Sequence, residues 1–172
     1  AVLPAVWGVH GCSQTVVEFE GVTRMTAVAD GRHCAVLDAE QSRRAKSRRF
    51  WNWFAPEVHA GKGEASLIAH TVRHVLDKYP IDSSRVYVAG LSAGGAMAAV
   101  LCSTHCDIFA ACAIHSGVMF HAAATALQSV QVMHRGTDAS MVQIGDRIVN
   151  APVPGARPVT TILILAPADT VA

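Results

Sequence analysis

Arg85-Val86-Tyr87-Val88-Ala89-Gly90-Leu91-Ser92-Ala93-Gly94-Gly95-Ala96-Met97 is the stretch that decides the fold. Its first half, Arg85 to Leu91, is rich in Val and Tyr and reads as a strand. The small residues from Ala93 to Cys102 read as a helix. Between them, Gly90-Leu91-Ser92-Ala93-Gly94 fits the pattern G-x-S-x-G. A strand, a sharp turn and a helix in that order are what a nucleophile elbow requires. The serine sits in a strained turn, so its neighbours two residues away must have almost no side chain. Gly90 and Gly94 meet that condition, and Gly95 and Ala96 let the helix lie close on the sheet. The helix N-terminus also favours negative charge beside the serine. A glycine-rich strand–helix turn with an ordinary exposed serine is the blander reading of the pentapeptide. The flanking strand and helix favour the elbow.

Working outward, Val2 to Val9 reads as a short apolar strand ending at His10-Gly11. Thr15 to Ala29 is helix-like, with a break near Gly21 and Thr23 as N-cap of a second segment. His33 to Ala39 is a second strand. Glu40 to Gly63 is a long polar and aromatic loop carrying Arg43, Arg44, Arg48 and Arg49. The spacing of Ile68, Val72, Val75, Leu76 and Tyr79 predicts a helix over Ser66 to Tyr79, stopped by Pro80. Ile108 to His115 is another strand, Val118 to Arg157 has little pattern, and Val159 to Leu165 is the last strand. Strands alternating with helices predict an α/β protein, a mostly parallel sheet with helices on both faces. Residues 1–172 form one domain in this reading.

Of the 172 residues, 51% are hydrophobic and 16% charged, which suits one well-buried core. The net charge of +1 gives no reason to expect nucleic acid or an anionic membrane as partner. No apolar run is long enough for a transmembrane helix, and no basic, apolar leader opens the chain. The sequence starts in a strand and stops at Asp169-Thr170-Val171-Ala172, so a fragment truncated at both ends is expected. The five cysteines are odd in number, which leaves at least one free thiol. Cys102 and Cys106 lie one helical turn apart, where a disulfide would be strained, and most of the five are expected to be buried. Among nine histidines only His70 and His74 stand at i, i+4, without the Glu of an HExxH pattern. That pair reads as a solvated helix face, and no metal is expected. Nothing in the chain sets the oligomeric state.

In a fold with such an elbow, the oxyanion hole takes one N–H from the residue after the nucleophile and one from the loop after the early strand. Those donors are Ala93 and Cys12 here, although His10-Gly11 is also readable as a plain tight turn. The triad acid belongs after a strand beyond the elbow. Asp169 fits that place, with Asp138 as competitor and an ordinary turn aspartate as the alternative. No histidine follows Asp169. His115, His121 and His134 precede it, and His115 reads as a structural residue at a strand end.

Four segments together resemble a known family: His10-Gly11-Cys12-Ser13-Gln14-Thr15, Glu40-Gln41-Ser42-Arg43-Arg44, Trp51-Asn52-Trp53-Phe54, and the extended elbow from Arg85 to Met97. The chain resembles the poly(3-hydroxyalkanoate) depolymerase-like esterases, with their feruloyl and acetylxylan esterase relatives, from about residue 5 to 120 and again near 158. The resemblance implies an α/β-hydrolase fold, a Ser-Asp-His triad and hydrolysis of carboxylic esters without a cofactor. It implies an extracellular or periplasmic location for many members. It maps Ser92 to the nucleophile, Cys12 and Ala93 to the oxyanion donors and Asp169 to the acid. The chain departs from the family at Leu165-Ala166-Pro167-Ala168-Asp169, where His-Gly-Asp-x-Asp is usual, and at Phe50, where a cysteine is usual. The family's catalytic histidine and final strand are missing, so the chain as given is expected to be weak or inactive. Trp51 and Trp53 line an apolar substrate groove in one reading and pack the core in the other. The substrate that the resemblance implies is an ester, either a polyester or a small ester. The rival from another class is a non-catalytic relative used for binding. A peptidase or lipase is disfavoured by Trp51-Asn52-Trp53-Phe54.

Overall fold

The computed structural model describes residues 2–136, 140, 142–143, 145–146 and 159–164. Five parallel strands form one sheet: β1 (Leu3–Val9), β2 (Ala35–Ala39), β3 (Ile81–Leu91), β4 (Ala111–His115) and β5 (Thr160–Ile164), in the order β2-β1-β3-β4-β5. The helices are α1 (Val16–Thr23), α2 (Met25–Arg32), α3 (Pro56–His59), α4 (Gly63–Lys78), α5 (Ala93–Thr104) and α6 (Ala126–Arg135).

Alternation along the strands sorts the two faces. Ala5, Trp7 and Val9 of β1 point the same way as Val86 and Val88 of β3. All but Ala5 bury into one cluster with Ile68 and Val72 of α4 and Met97 and Leu101 of α5. The other face of β1 carries Gly8, whose missing side chain leaves room for Asp38 of β2 and Phe19 of α1. Helices α4 and α5 therefore cover one face, and α1 packs on the other over β1 and β2. On that second face Tyr87, Ala89, Ala111 and Ala113 are only half-buried.

The parallel α/β expectation is met, and the element boundaries need four corrections. The break between the first two helices falls at Arg24, not Gly21. Arg24 takes a left-handed φ of 51°, and its N–H closes α1 on the Glu20 carbonyl at 2.7 Å. Thr23 therefore ends α1 and does not cap α2. One turn, α3, forms inside the expected loop, opened by Pro56, which suits a first helical turn. Helix α6 forms inside the unpatterned stretch, capped by Thr125, whose Oγ1 accepts from Gln128 N–H at 3.2 Å. The face α6 turns to the core is short, with buried Ser129 beside half-buried Val132 and Met133, while Leu127 and Val130 are exposed, so sequence reading passed over it. The fourth correction concerns β3 and β4, which begin at Ile81 and Ala111 rather than Arg85 and Ile108. None of the five cysteines is in a disulfide, so Cys102 and Cys106 are not joined, and those two are buried together with Cys112. His70 and His74 lie exposed on α4. No helix among the described residues is long and apolar enough to cross a membrane.

Glycines at two positions give opposite expectations. A Cβ on Gly94 would stand 2.0 Å from the Val9 carbonyl oxygen, whereas one on Gly21 in α1 meets nothing within 4 Å. Gly94→Ala is expected to cost about 3 kcal/mol or more, because backbone cannot move aside as a side chain can. Gly21→Ala is expected to stabilise by about 0.5–1 kcal/mol. Urea unfolding of the two variants checks both signs.

Candidate active site

Ser92 stands between the end of β3 and the start of α5, with φ 55° and ψ −118°. That backbone region strains any residue with a side chain, by about 1–3 kcal/mol. It persists because the surroundings fix it from three sides. Ser92 N–H donates to the His115 carbonyl of β4 at 2.8 Å, and Ala96 N–H donates to the Ser92 carbonyl at 3.0 Å. A Cβ on Gly90 would lie 2.1 Å from the Gly94 carbonyl oxygen, so the turn closes onto its own strand. A Cβ on Gly94 would meet Val9 O at 2.0 Å and His10 O at 2.5 Å, so the first turn of α5 rests on the end of β1. The Ser92 side chain is partly exposed, and its Oγ has no hydrogen-bond partner among the described residues.

The loop after β1 lies against this elbow. Its Gly11 would place a Cβ 3.3 Å from the Leu91 carbonyl oxygen. His10 is fully buried and organises the loop. Gln41 N–H donates to His10 Nε2 at 3.0 Å, which requires a lone pair there. The neutral ring then carries its proton on Nδ1, which donates to the Gly11 carbonyl at 2.8 Å. Burial first of all holds the His10 pKa below the ordinary histidine value. Trp51 Nε1–H donates to the His10 carbonyl at 2.9 Å, and Gly11 N–H donates to Gln14 Oε1 at 2.8 Å. Ser13 N–H is held by the Arg48 carbonyl at 2.8 Å. The N–H groups of Cys12 and Ala93, one on each segment, have no hydrogen-bond partner among the described residues. The Cys12 thiol is exposed and leans on the Arg48 carbonyl at 3.6 Å.

Of the two readings of the tryptophans, burial favours packing: Trp51 and Trp53 are 4% and 3% exposed and belong to the core cluster. Trp51 does border a cavity of about 470 Å³ between β2 and α4, with Trp7, Leu37, Glu64, Ile68 and Val75, but Ser92 is not among its lining residues. Of the arginine loop, Arg43, Arg44 and Arg48 are exposed, and Arg49 pairs with Glu40.

Asp169 and its competitor Asp138 lie outside the described residues. His115 ends β4 opposite Leu91 and is exposed. His134 is exposed in the last turn of α6. His121 takes a φ of 60° and stacks with His59 and Phe120, at ring distances of 4.2 and 4.1 Å. Burial, and then the nearby His121, push the His59 pKa down to about 4. No histidine among the described residues is bonded to Ser92 Oγ. Sequence reasoning missed the parts played by His10, Gln14, Gln41 and Glu64. Glu64 accepts from Gln41 Nε2 at 3.0 Å and from Asn52 N–H at 2.6 Å, tying both ends of the long loop to α4. His10, Gln14 and Gln41 stand within the quoted motifs and Glu64 outside them, but single polar residues carry no period that would reveal their partners.

The family model described as Esterase PHB depolymerase matches residues 1–169. The chain is 33% identical over 144 residues to poly(3-hydroxyalkanoate) depolymerase C of Paucimonas lemoignei, an alignment covering 83% of this chain and 34% of that protein. It is 29% identical over 155 residues to feruloyl esterase B of Thermothelomyces thermophilus, covering 86% and 52%. The chain thus spans about a third to a half of the length of these curated relatives. Among solved structures, the acetyl xylan esterase from Aspergillus awamori superposes with a TM-score of 0.78 at 20% identity, covering 95% of this chain and 61% of that one. At that identity the likeness establishes the fold, an α/β-hydrolase.

The dihedral at Ser92 generates its own test. Ser92→Gly removes a strained side chain at some entropic cost, and is expected to stabilise by about 1 kcal/mol net. Ser92→Val adds a β-branched residue at positive φ and is expected to destabilise by about 2 kcal/mol or more. Equal unfolding midpoints for both variants in urea would contradict the strain.

Proposed function

The chain belongs to the Esterase PHB depolymerase family, and on that premise we propose that it is the nucleophile-bearing part of a serine esterase acting on carboxylic esters. The observation that carries the reading is Ser92 at φ 55° between β3 and α5, with an N–H on each flanking segment that has no partner among the described residues. Ser92 Oγ attacks the ester carbonyl and passes its proton to a histidine base. The carbonyl oxygen becomes an oxyanion, held by the Cys12 and Ala93 N–H groups. Collapse expels the alcohol, which takes the proton back from the histidine and leaves an acyl-Ser92. Water then enters by the same route, releases the acid and restores the hydroxyl. Asp169 orients the histidine, which follows it in the order usual for this fold. No cofactor enters these steps. Polyhydroxyalkanoate is the first substrate to try, since a depolymerase of that polyester is among the relatives, with feruloyl and acetyl esters next. Action outside the cell goes with a polymer too large to import.

The test compares the 172-residue chain with a form extended by a relative's final strand and histidine, using p-nitrophenyl butyrate. The short chain is expected to turn over at least about 1,000-fold more slowly, as triad enzymes do on losing a member. Ser92→Ala in the extended form is expected to abolish turnover. Equal rates from both forms would mean that His115, His121 or His134 serves as base. No turnover from either would favour a binding role.

A further inference from the structure

We propose that His10 is a positioning residue for the oxyanion loop, locked as the neutral Nδ1–H tautomer, and that a second proton on its ring releases the loop. The inference rests on the reading of Cys12 N–H as an oxyanion donor. Three observations carry it. First, His10 is completely buried and both of its ring nitrogens are bonded to backbone groups, so its ring serves the backbone around it. Second, its two nitrogens are assigned opposite tasks by partners that cannot switch. Gln41 N–H only donates, so Nε2 must accept. The Gly11 carbonyl only accepts, so Nδ1 must donate. Third, the bond from Nδ1 ends on the residue directly before Cys12. The Gly11 carbonyl also receives Gln14 N–H at 3.3 Å, which fixes the peptide plane that presents Cys12 N–H.

Protonation would place an N–H on Nε2 facing the Gln41 N–H, donor against donor. The loop must then let go of either Gln41 or Gly11. The charged groups around the ring do little to offset this. Glu40 and Glu18 favour the cation while Arg49 opposes it, and Arg49 is itself paired with Glu40. The Trp51 ring, 5.2 Å away, packs on the imidazole. The ring therefore stays neutral at pH 7, and the loop loosens only in acid, below the ordinary histidine range.

Side-chain replacements separate the two tasks. His10→Gln keeps an acceptor for Gln41, His10→Asn keeps a donor for Gly11, and His10→Leu keeps neither. In the extended, histidine-bearing form, His10→Leu is expected to lower kcat for p-nitrophenyl butyrate about 100-fold with KM nearly unchanged, the size of losing one oxyanion donor. His10→Asn is expected to recover part of that loss, and both replacements to remove one component of the acid limb. Near-wild-type kcat in a folded His10→Leu protein would overturn the proposal. Should that variant fail to fold, ¹⁵N imidazole shifts of the unmutated protein decide, because an Nε2–H tautomer or a charged ring at pH 7 would overturn it equally. Failure of the esterase reading looks different: the unmutated extended form would then show no turnover, or a turnover that survives Ser92→Ala, while the imidazole shifts still report the His10 tautomer.

Discussion

A contact between backbones governs this site: the first turn of α5 rests on the carbonyls of Val9 and His10. Neither partner has a rotamer to change, so nothing but glycine fits at position 94. The same closeness forces the sharp turn at Ser92 and explains Gly90, whose Cβ would strike Gly94 O. On the other side Ser92 N–H reaches β4 through the His115 carbonyl. Neighbouring strands β1, β3 and β4 thus converge on one residue at their carboxyl ends, where open α/β sheets place their ligands. The strain at Ser92 is maintained by that convergence and not by any local sequence preference.

A polar layer keeps the loops in place around this contact. His10, Gln14, Gln41, Trp51 and Glu64 satisfy one another and the local backbone. Each such bond contributes only about 1 kcal/mol net, but breaking one leaves a buried group unpaired at higher cost. The layer therefore specifies one arrangement of the loop more than it adds stability. The long loop after β2 acts as a strap fixed at Gln41, Asn52 and Trp51, with the exposed arginines as its free span.

What the sequence revealed follows from which forces leave a pattern. The elbow was legible because close packing demands glycine at fixed offsets, and α4 because Ile68, Val72 and Val75 repeat at helical spacing. The parallel sheet followed from alternation of elements. Arg24 was not legible as a helix break, since its left-handed turn is unusual for arginine and Gly21 is the commoner signal. One-turn α3 is too short to show a period. Trp51 and Trp53 were ambiguous because a large aromatic suits a groove or a core equally. Burial of both rings, and for Trp51 an Nε1–H bond to a carbonyl 41 positions earlier, favour packing. Asp169 rests on chain order and resemblance alone.

The outer strand bears on how the molecule behaves at high concentration. Ile162, Leu163 and Ile164 of β5 are 59%, 52% and 46% exposed, and β5 pairs only with β4 among the described residues. Consecutive apolar side chains on a strand whose outer row of amides and carbonyls meets no other strand among the described residues make a template for an extended segment. The five strand residues carry no lysine, proline or acidic residue to discourage such pairing. Among the described residues, β5 is thus the sheet edge best suited to accept another strand, at the opposite end of the sheet from β2.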